Sequence, residues 1–339
     1  MNLNFASDNT GPVAAPILEA MVAANEGGAM PYGADPWMPG VRDALRDLFE
    51  WPEAEVLLVG TGTAANALAL AGQVAPWGSI LCHRDSHVER DECGAPEFYA
   101  DGAKLVPVAG EEAKMSPAGV AEEIGRLKGA VHNVQLGAMS VTNVTEVGTV
   151  HTLDELATLT DLARAHGIAT HLDGARFANA CVALDCSAAE MVRGFDVVSF
   201  GGTKNGCMAV EAIVLRDPAR YWELQLRRKR GAQLWSKHRF LSAQMAAYLE
   251  GGLWLENARR ANAAGQRLAA GLRDIGAEMA HPPEANMIFC RLPRAAHERA
   301  RAEAQYYLMD DTETPLCRLV CDFTKTEAEV DRLLQLLAG

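Results

Sequence analysis

The sequence predicts an α/β protein, and three observations support this prediction. Short, continuously apolar segments recur through the first three quarters of the chain, as expected for strands buried on both faces of a parallel sheet. Segments with helical periodicity alternate with them. After about residue 245 the pattern changes to a long amphipathic helix, two further strands and a final helix. We therefore expect a large domain over residues 1–245 and a smaller α+β domain over residues 246–339.

In the large domain the predicted elements follow one another in a regular order. The predicted strands are 55–60, 79–83, 103–108, 168–172, 196–200 and 212–216. A helix is predicted after the first of them, over 63–73. Thr152 and Glu155 form a predicted capping box that begins another helix, and Gly167 is placed to end it.

The smaller domain begins with a predicted amphipathic helix over 255–276. Two apolar segments, 286–292 and 317–323, predict strands. Thr324 and Glu327 predict the start of the last helix.

Charge and composition argue against several classes of function. The 339 residues carry a net charge of −13, so a polyanionic partner such as nucleic acid is not expected. The basic segment 227–230 fits either a solvated helix face or a site for a small anion. No apolar stretch is long enough for a membrane span, and residues 1–11 do not resemble a signal peptide. We therefore expect a cytoplasmic protein.

The eight cysteines show no spacing typical of a metal site. Several lie in apolar strand-like segments, where a reduced cysteine acts as a small core residue. Neither disulfides nor a bound metal are expected.

A turn of small residues, "GTGTAAN" at 60–66, connects the first predicted strand to its helix. Such a turn presents free backbone amides and the positive end of a helix dipole, which can bind a phosphate. Taken alone, the segment also fits a plain strand-to-helix turn, because it lacks the lysine of a P-loop and the third glycine of a dinucleotide fingerprint.

A carboxylate, Asp173, follows the strand at 168–172 within "HLDGARF". In open α/β sheets, ligands bind beyond the carboxyl ends of the strands, so Asp173 is predicted to face that crevice. It could cap a helix, bind a metal or pair with a cationic ring nitrogen. No second ligand lies at metal-binding spacing.

A single lysine, Lys204, lies between glycines in "SFGGTKNG", directly after the strand at 196–200. Glycines allow a ligand to approach the backbone, and a desolvated lysine is a usable amine nucleophile. A flexible loop with a solvated lysine fits the segment equally well.

The order of phosphate turn, carboxylate and lysine is that of a fold-type I pyridoxal-phosphate enzyme. The chain resembles the threonine aldolase family, and within it the bacterial low-specificity L-threonine aldolases, through segments that span nearly its whole length. These segments are "FASDN", "MPYGADP", "TGTAANAL", "SHVERDECGAPEF", "DGAR", "SFGGTKNG", "RRKRGAQLWSKHRFLSAQ" and "RLVC". The resemblance implies a mostly parallel seven-stranded sheet in the large domain.

The resemblance also implies roles for the cofactor-binding residues. Lys204 is expected to carry pyridoxal 5′-phosphate as a Schiff base, Asp173 to keep the ring nitrogen protonated, and His87 to stack on the ring. The expected phosphate-binding residues are Gly62 and Thr63, helped by Lys237 or Arg239.

For the substrate, the resemblance implies that Ser7, Arg176 and Arg318 hold the carboxylate, because a guanidinium fork matches its geometry. Arg176 is also counted among the cofactor-binding residues. Tyr32 is expected to reach the site of a neighbouring subunit, which implies a homodimer or homotetramer.

At one position the chain departs from the family. Asn143 stands where many members have a histidine that approaches the substrate hydroxyl. His132 is therefore predicted to act as the base, with Asp91 as another polar candidate, although a core histidine on a strand fits His132 equally well.

The implied reaction is the reversible cleavage of L-threonine, L-allo-threonine and related β-hydroxy-α-amino acids to glycine and an aldehyde. The alternative is another reaction of the same cofactor on amino acids, namely β-elimination, transamination or racemisation.

Overall fold

The structure is a computed structural model that describes residues 3–339. The strands are β1 Leu3–Asn4, β2 Glu55–Val59, β3 Gly78–His83, β4 Lys104–Val108, β5 Gln135–Thr142, β6 Ala169–Gly174, β7 Val197–Gly201, β8 Glu211–Leu215, β9 Glu278–Met279, β10 Met287–Arg291, β11 Ala304–Gln305, β12 Tyr307–Leu308 and β13 Leu316–Val320. The α-helices are α1 Ala15–Ala24, α2 Met38–Phe49, α3 Gly62–Ala71, α4 His87–Arg90, α5 Ala95–Tyr99, α6 Pro117–Leu127, α7 Leu153–Ala165, α8 Phe177–Leu184, α9 Ala188–Met191, α10 Tyr221–Arg230, α11 Arg239–Leu249, α12 Leu253–Asp274, α13 Arg294–Ala300 and α14 Glu327–Ala338.

Seven strands form the large sheet in the order β2-β8-β7-β6-β5-β3-β4. β8 is antiparallel to both of its neighbours, and the other pairs are parallel. β2 therefore runs in the same direction as β7. This confirms the mostly parallel seven-stranded sheet that the resemblance to the threonine aldolase family implies.

The strands of the large sheet are apolar because helices cover them. Every residue of β7 and β8 is buried, and α3 is buried from Ala65 to Ala71. A helix that is apolar on all sides belongs in the interior, which explains the run of alanine and leucine in α3. The capping box that begins α7 at Thr152 is formed as predicted, with the Glu155 side chain accepting from the Thr152 amide.

The smaller unit is built on an antiparallel sheet in the order β12-β13-β10-β9. The sheet and α12, α13 and α14 enclose a second apolar core. The predicted start of the last helix is wrong by two residues. Thr326 caps α14 and pairs with Glu329, whereas the Thr324 hydroxyl is bonded to Asp322.

The N-terminal strand lies on the smaller unit, although residues 1–245 are predicted to belong to the large domain. β1 pairs in parallel with β11, and the Phe5 carbonyl accepts from the Val320 amide at 2.8 Å. The short apolar segment Leu3 to Phe5 finds its buried partners there. The boundary near residue 245 stays a prediction. Within residues 3–339, every helix is too short or too polar to cross a membrane.

Candidate active site

Four neighbouring parallel strands each deliver one chemically active side chain to the same edge of the sheet. His87, Glu146 and Lys204 lie beyond the carboxyl ends of β3, β5 and β7 respectively. Asp173 is the penultimate residue of β6, at the same edge. These four side chains line one cavity of about 240 Å³. The sheet topology therefore brings together groups that are far apart in the sequence.

Five of the residues predicted to form the site line this cavity, namely Gly62, Thr63, His87, Asp173 and Lys204. Six polar residues that were not predicted line it too, namely Asn9, Thr61, Asn66, Glu146, Thr203 and Glu211.

The start of α3 forms an anion cradle at one side of the cavity. Thr61 caps the helix by accepting the Ala64 amide at 3.2 Å. The amides of Gly62 and Thr63 precede it and have no acceptor within the helix. At Gly62 an added Cβ would meet nothing within 4 Å, so the backbone is open to a ligand. Two free amides at the positive end of a ten-residue helix suit a phosphate.

Asp173 lies at the floor of the cavity with 1% of its surface exposed. Its Oδ2 accepts from Asn66 Nδ2 at 3.0 Å, and its Oδ1 accepts from the Ala175 amide at 3.1 Å. Below it, burial lowers the pKa of His171 to about 4, and the ring bridges the hydroxyls of Ser140 and Ser199 at 2.9 Å. A neutral ring at this position leaves the negative charge of Asp173 directed at the cavity.

His87 is held by the carboxylate of Glu92. Nδ1 of the ring lies 2.8 Å from Glu92 Oε1, which also accepts from Asn66 Nδ2 at 2.8 Å. The hydrogen bond to Glu92 raises the pKa of His87, whereas burial opposes this effect. Asp91, the predicted polar candidate, is exposed and is not among the residues that line the cavity. The carboxylate that reaches His87 therefore belongs to the next residue, because α4 ends at Arg90 and the chain turns inward at Glu92.

Lys204 lies in a short 3-10 helix, Thr203–Asn205, between β7 and β8, as predicted. Glu211 fixes the backbone before it by accepting the Gly202 amide at 2.8 Å. The Asn205 side chain donates to the Tyr248 hydroxyl and the Trp254 carbonyl, both at 2.7 Å. The lysine therefore projects from an anchored segment and not from a flexible loop. Burial raises the pKa of Glu211 to about 7, although Thr203, Gly202 and Lys204 oppose this effect.

Arg176 is buried and forms a two-point ion pair with Asp8. Its Nε donates to Asp8 Oδ2 at 2.7 Å, and its Nη2 donates to Oδ1 at 3.1 Å. Burial acts to raise the pKa of Asp8, but the charges of Arg176 and Lys204 hold it below its usual value. Ser7 precedes this pair and its hydroxyl accepts the Asn9 amide at 3.2 Å.

Arg318 projects from β13 of the smaller unit towards the same region. Burial lowers the pKa of Arg318, and the nearby charge of Arg176 lowers it further. Its guanidinium lies 5.7 Å from the centre of the Tyr307 ring. Two guanidiniums that repel each other favour an anion bound between or beside them.

His132 is not part of this site, which corrects the prediction that it acts as the base. It is exposed in the turn before β5, whereas the cavity lies beyond the other end of that strand, where Thr142 pairs with Asp173. Eight strand residues separate the two ends by more than about 20 Å.

Asn143 lies near the cavity, but its side chain is bonded to the backbone of His151. Its Oδ1 accepts the His151 amide at 3.0 Å, and its Nδ2 donates to the His151 carbonyl at 3.2 Å. The residue that reaches the cavity from this loop is Glu146. The rule that places ligands beyond the carboxyl ends of parallel strands points to this loop, but only once the strand 135–142 is recognised.

Tyr32, Lys237 and Arg239 lie outside the cavity of the single chain. The side chains of Tyr32 and Lys237 are exposed, and Arg239 donates to the Gly27 carbonyl at 2.9 Å. The Tyr32 amide donates to the Ser236 carbonyl at 3.2 Å, so all three belong to one surface. The adjoining Gln233 accepts the Gly60 amide at 3.0 Å and connects this surface to the phosphate cradle.

The described residues fit pyridoxal 5′-phosphate. The free amides of α3 suit its phosphate, the buried Asp173 suits a protonated ring nitrogen, and Lys204 supplies the amine for covalent attachment. The fold and this cavity define a fold-type I pyridoxal-phosphate enzyme.

Comparison with known proteins agrees with this class. The model of the beta-eliminating lyase family matches residues 4–295. A low specificity L-threonine aldolase from a Pseudomonas species is 38% identical over 97% of this chain and 95% of its own length. Another, from Pseudomonas aeruginosa, is 40% identical over 88% of this chain and 86% of its own. The solved threonine aldolase of Leishmania major superimposes with a TM-score of 0.94 at 26% identity, covering 98% of both chains.

The chain therefore belongs to the threonine aldolase group of the beta-eliminating lyase family.

Proposed function

We propose that this protein cleaves L-threonine, L-allo-threonine and related β-hydroxy-α-amino acids reversibly to glycine and an aldehyde. The observation that carries the proposal is the meeting of Lys204 and Asp173 in one cavity, beside two arginines from different units. Relatives named for this activity match nearly the whole chain, and this favours cleavage over β-elimination, transamination or racemisation.

When bound, pyridoxal phosphate supplies an electron sink for bond cleavage at the α-carbon of an amino acid. Asp173 holds a negative charge where the ring nitrogen needs a proton, and Asn66 and Ala175 keep that carboxylate in place. Gly62 and Thr63 bind the phosphate through their amides.

The substrate carboxylate is bound by Arg318 and by the part of Arg176 that Asp8 leaves open, with Ser7 close by. By holding the carboxylate, these residues would orient the α-carbon of the substrate and so select which of its bonds breaks. His87, fixed by Glu92, would stack on the ring of the bound cofactor.

We further propose that the working site is completed by a second subunit in a homodimer or homotetramer. Tyr32, Lys237 and Arg239 form a surface next to the phosphate cradle but do not enter the cavity of their own chain. On a neighbouring subunit the same residues could reach the substrate and the phosphate. We also propose a cytoplasmic location, which the eight free cysteines support.

The activity is tested by incubating the purified holoenzyme with L-threonine, L-allo-threonine and phenylserine. We expect equal amounts of glycine and aldehyde. Release of ammonia with a keto acid, or of D-threonine, in place of glycine would support the alternative reactions.

The shared site is tested by mixing two inactive variants. One carries Lys204→Ala, and the other carries both Lys237→Ala and Tyr32→Phe. If residues are exchanged between subunits, hybrids contain intact sites and regain part of the activity after subunit exchange. Failure to regain activity in hybrids verified by native mass spectrometry would place each complete site within one chain.

A further inference from the structure

Glu146 lies at the boundary between the cofactor cavity and a much smaller space behind it. It lines the cofactor cavity together with His87 and Lys204. It also lines the inner space, within which the centre of a water molecule can move through a volume of about 10 Å³. That is room for about one water molecule.

Three buried polar atoms at the inner space have no hydrogen-bond partner among residues 3–339. They are Ser86 Oγ, Thr142 Oγ1 and His151 Nδ1. An unsatisfied buried polar atom costs about 1–3 kcal/mol, so three of them around one space of this size favour a bound water. Burial lowers the pKa of His151 to about 4, so its ring is neutral and can accept or donate one hydrogen bond at Nδ1.

The inner space leads outward. Met115 and His151 line both the inner space and an open cleft of about 950 Å³ on the surface. The order from the substrate to solvent is therefore the cofactor cavity, Glu146, the inner space with His151, and the outer cleft.

The charge of Glu146 reaches the groups that surround the substrate. Its negative charge adds to the effect of the hydrogen bond that Glu92 accepts from His87 in raising the pKa of His87. It also opposes the burial that lowers the pKa of Arg318. The Glu146 carboxylate repels the substrate carboxylate, which is bound by the two arginines. Glu146 therefore attracts a part of the substrate that can donate a hydrogen bond. The β-hydroxyl is the donor that a β-hydroxy-α-amino acid offers.

We propose that Glu146 exchanges the proton of the substrate β-hydroxyl, and that a water held by Ser86, Thr142 and His151 connects Glu146 to solvent. This inference rests on the proposed function and names its acid–base residue. Asn143 contributes by fixing the backbone of His151 through two hydrogen bonds.

In the cleavage direction, the O–H bond of the hydroxyl breaks and its proton passes to a Glu146 oxygen. The electron pair of that bond forms the carbonyl of the aldehyde, and the pair of the Cα–Cβ bond stays with the glycine fragment. The glycine carbon takes up one proton, which balances the proton that Glu146 receives and passes outward. The same groups act in reverse order during aldehyde addition.

The first test compares two reactions of the Glu146→Gln holoenzyme. General-base catalysis contributes about 10²–10⁴-fold, so threonine cleavage should fall by at least about 100-fold. Exchange of the glycine α-proton in heavy water involves no hydroxyl and should change less than about threefold. Glu122→Gln removes the same charge from the exposed face of α6 and should leave both rates as in the wild type.

Equal losses of cleavage and exchange in Glu146→Gln, or cleavage within about threefold of the wild type, would overturn the assignment. The proposed function fails separately, if the wild-type protein releases no glycine from threonine. Normal release by the wild type with undiminished cleavage by Glu146→Gln contradicts only the role of Glu146.

The second test does not depend on activity. A high-resolution crystal structure should show a water in hydrogen-bond contact with Ser86 Oγ, Thr142 Oγ1 and His151 Nδ1. Thr142→Val keeps the side-chain shape, removes one of these partners and should displace or disorder that water. A dry inner space in the wild-type crystals would overturn the proposed connection to solvent.

Discussion

The buried Oε1 of Glu92 lies 2.8 Å from Nδ1 of His87, and this hydrogen bond fixes the ring that faces the cofactor cavity. The same oxygen accepts from the side-chain Nδ2 of Asn66, which also donates to Asp173 Oδ2. One carboxylate therefore positions the His87 ring directly and Asp173 through Asn66.

Glu92→Gln should weaken cofactor binding about 10-fold or more, because a charge-assisted hydrogen bond contributes about 1.5–3 kcal/mol. The pKa of His87 should fall, since the bond to Glu92 is the main effect that raises it. Cofactor affinity is measured by absorbance titration. The neighbouring Asp91→Asn is the matched control, because Asp91 is exposed, and its affinity should remain that of the wild type. Equal weakening by both substitutions would contradict the role of Glu92.

Lys204→Ala should abolish covalent attachment of the cofactor and turnover while the protein stays folded. The backbone at this position is anchored by Glu211 and by Asn205, so the lysine side chain is not needed for the fold. Mass spectrometry after borohydride reduction should find the cofactor on Lys204 in the wild type. Attachment to any other lysine would contradict the site.

Asp173→Asn should lower turnover by orders of magnitude while the cofactor still binds. The amide can retain a hydrogen bond at this position, but it supplies no charge to keep a ring nitrogen protonated. The cofactor content is measured by absorbance and turnover by glycine release. Near wild-type turnover in a fully loaded variant would remove Asp173 from this role.

Arg318→Lys should raise the Michaelis constant for threonine about 10-fold or more with a smaller change in the turnover number. The substitution retains the charge but loses the planar fork that matches a carboxylate. Arg291→Lys makes the same change on the neighbouring strand β10, where the arginine pairs with Asp310, and should leave the Michaelis constant unaltered. An unchanged constant in Arg318→Lys would mean that this arginine is structural.

The sequence predicted the strands that contain Asp173 and precede Lys204 because each is a short run with apolar residues at both ends of the predicted core, namely 168–172 and 197–200. It did not predict β5, whose residues Gln135–Thr142 include glycine, serine and threonine in place of a solid apolar run. Gly137 is needed there because a Cβ would lie 2.6 Å from Val74 Cγ2. Without β5 neither end of the strand was placed, so His132 was preferred and Glu146 was missed.

The N-terminal segment and Glu92 show a different limit. Leu3–Asn4 is too short for a recognisable pattern, and its partner at Ala304–Gln305 lies about 300 residues away. Glu92 and Asp91 are adjacent acids, and nothing in their order indicates which one turns inward. Contacts of this kind depend on the folded chain and not on local periodicity.

Glu211 provides a test of stability against pH. It is fully buried at the start of β8, and burial raises its pKa from 4.5 to about 7. In the unfolded chain it loses its proton near pH 4.5, so between pH 4.5 and 7 the folded protein binds the additional proton. Raising the pH through this window therefore lowers the free energy of unfolding, and the decrease ends above about pH 7.

The variant Glu211→Gln keeps an acceptor for the Gly202 amide and removes the titration. The free energy of unfolding of both proteins is measured by urea denaturation from pH 5 to 8. The wild type should lose up to about 3 kcal/mol across the window relative to the variant, because only the wild type has the titrating carboxyl. The exposed Glu250→Gln serves as the control and should follow the wild-type curve. Parallel stability curves for the wild type and Glu211→Gln would mean that Glu211 does not titrate in this range.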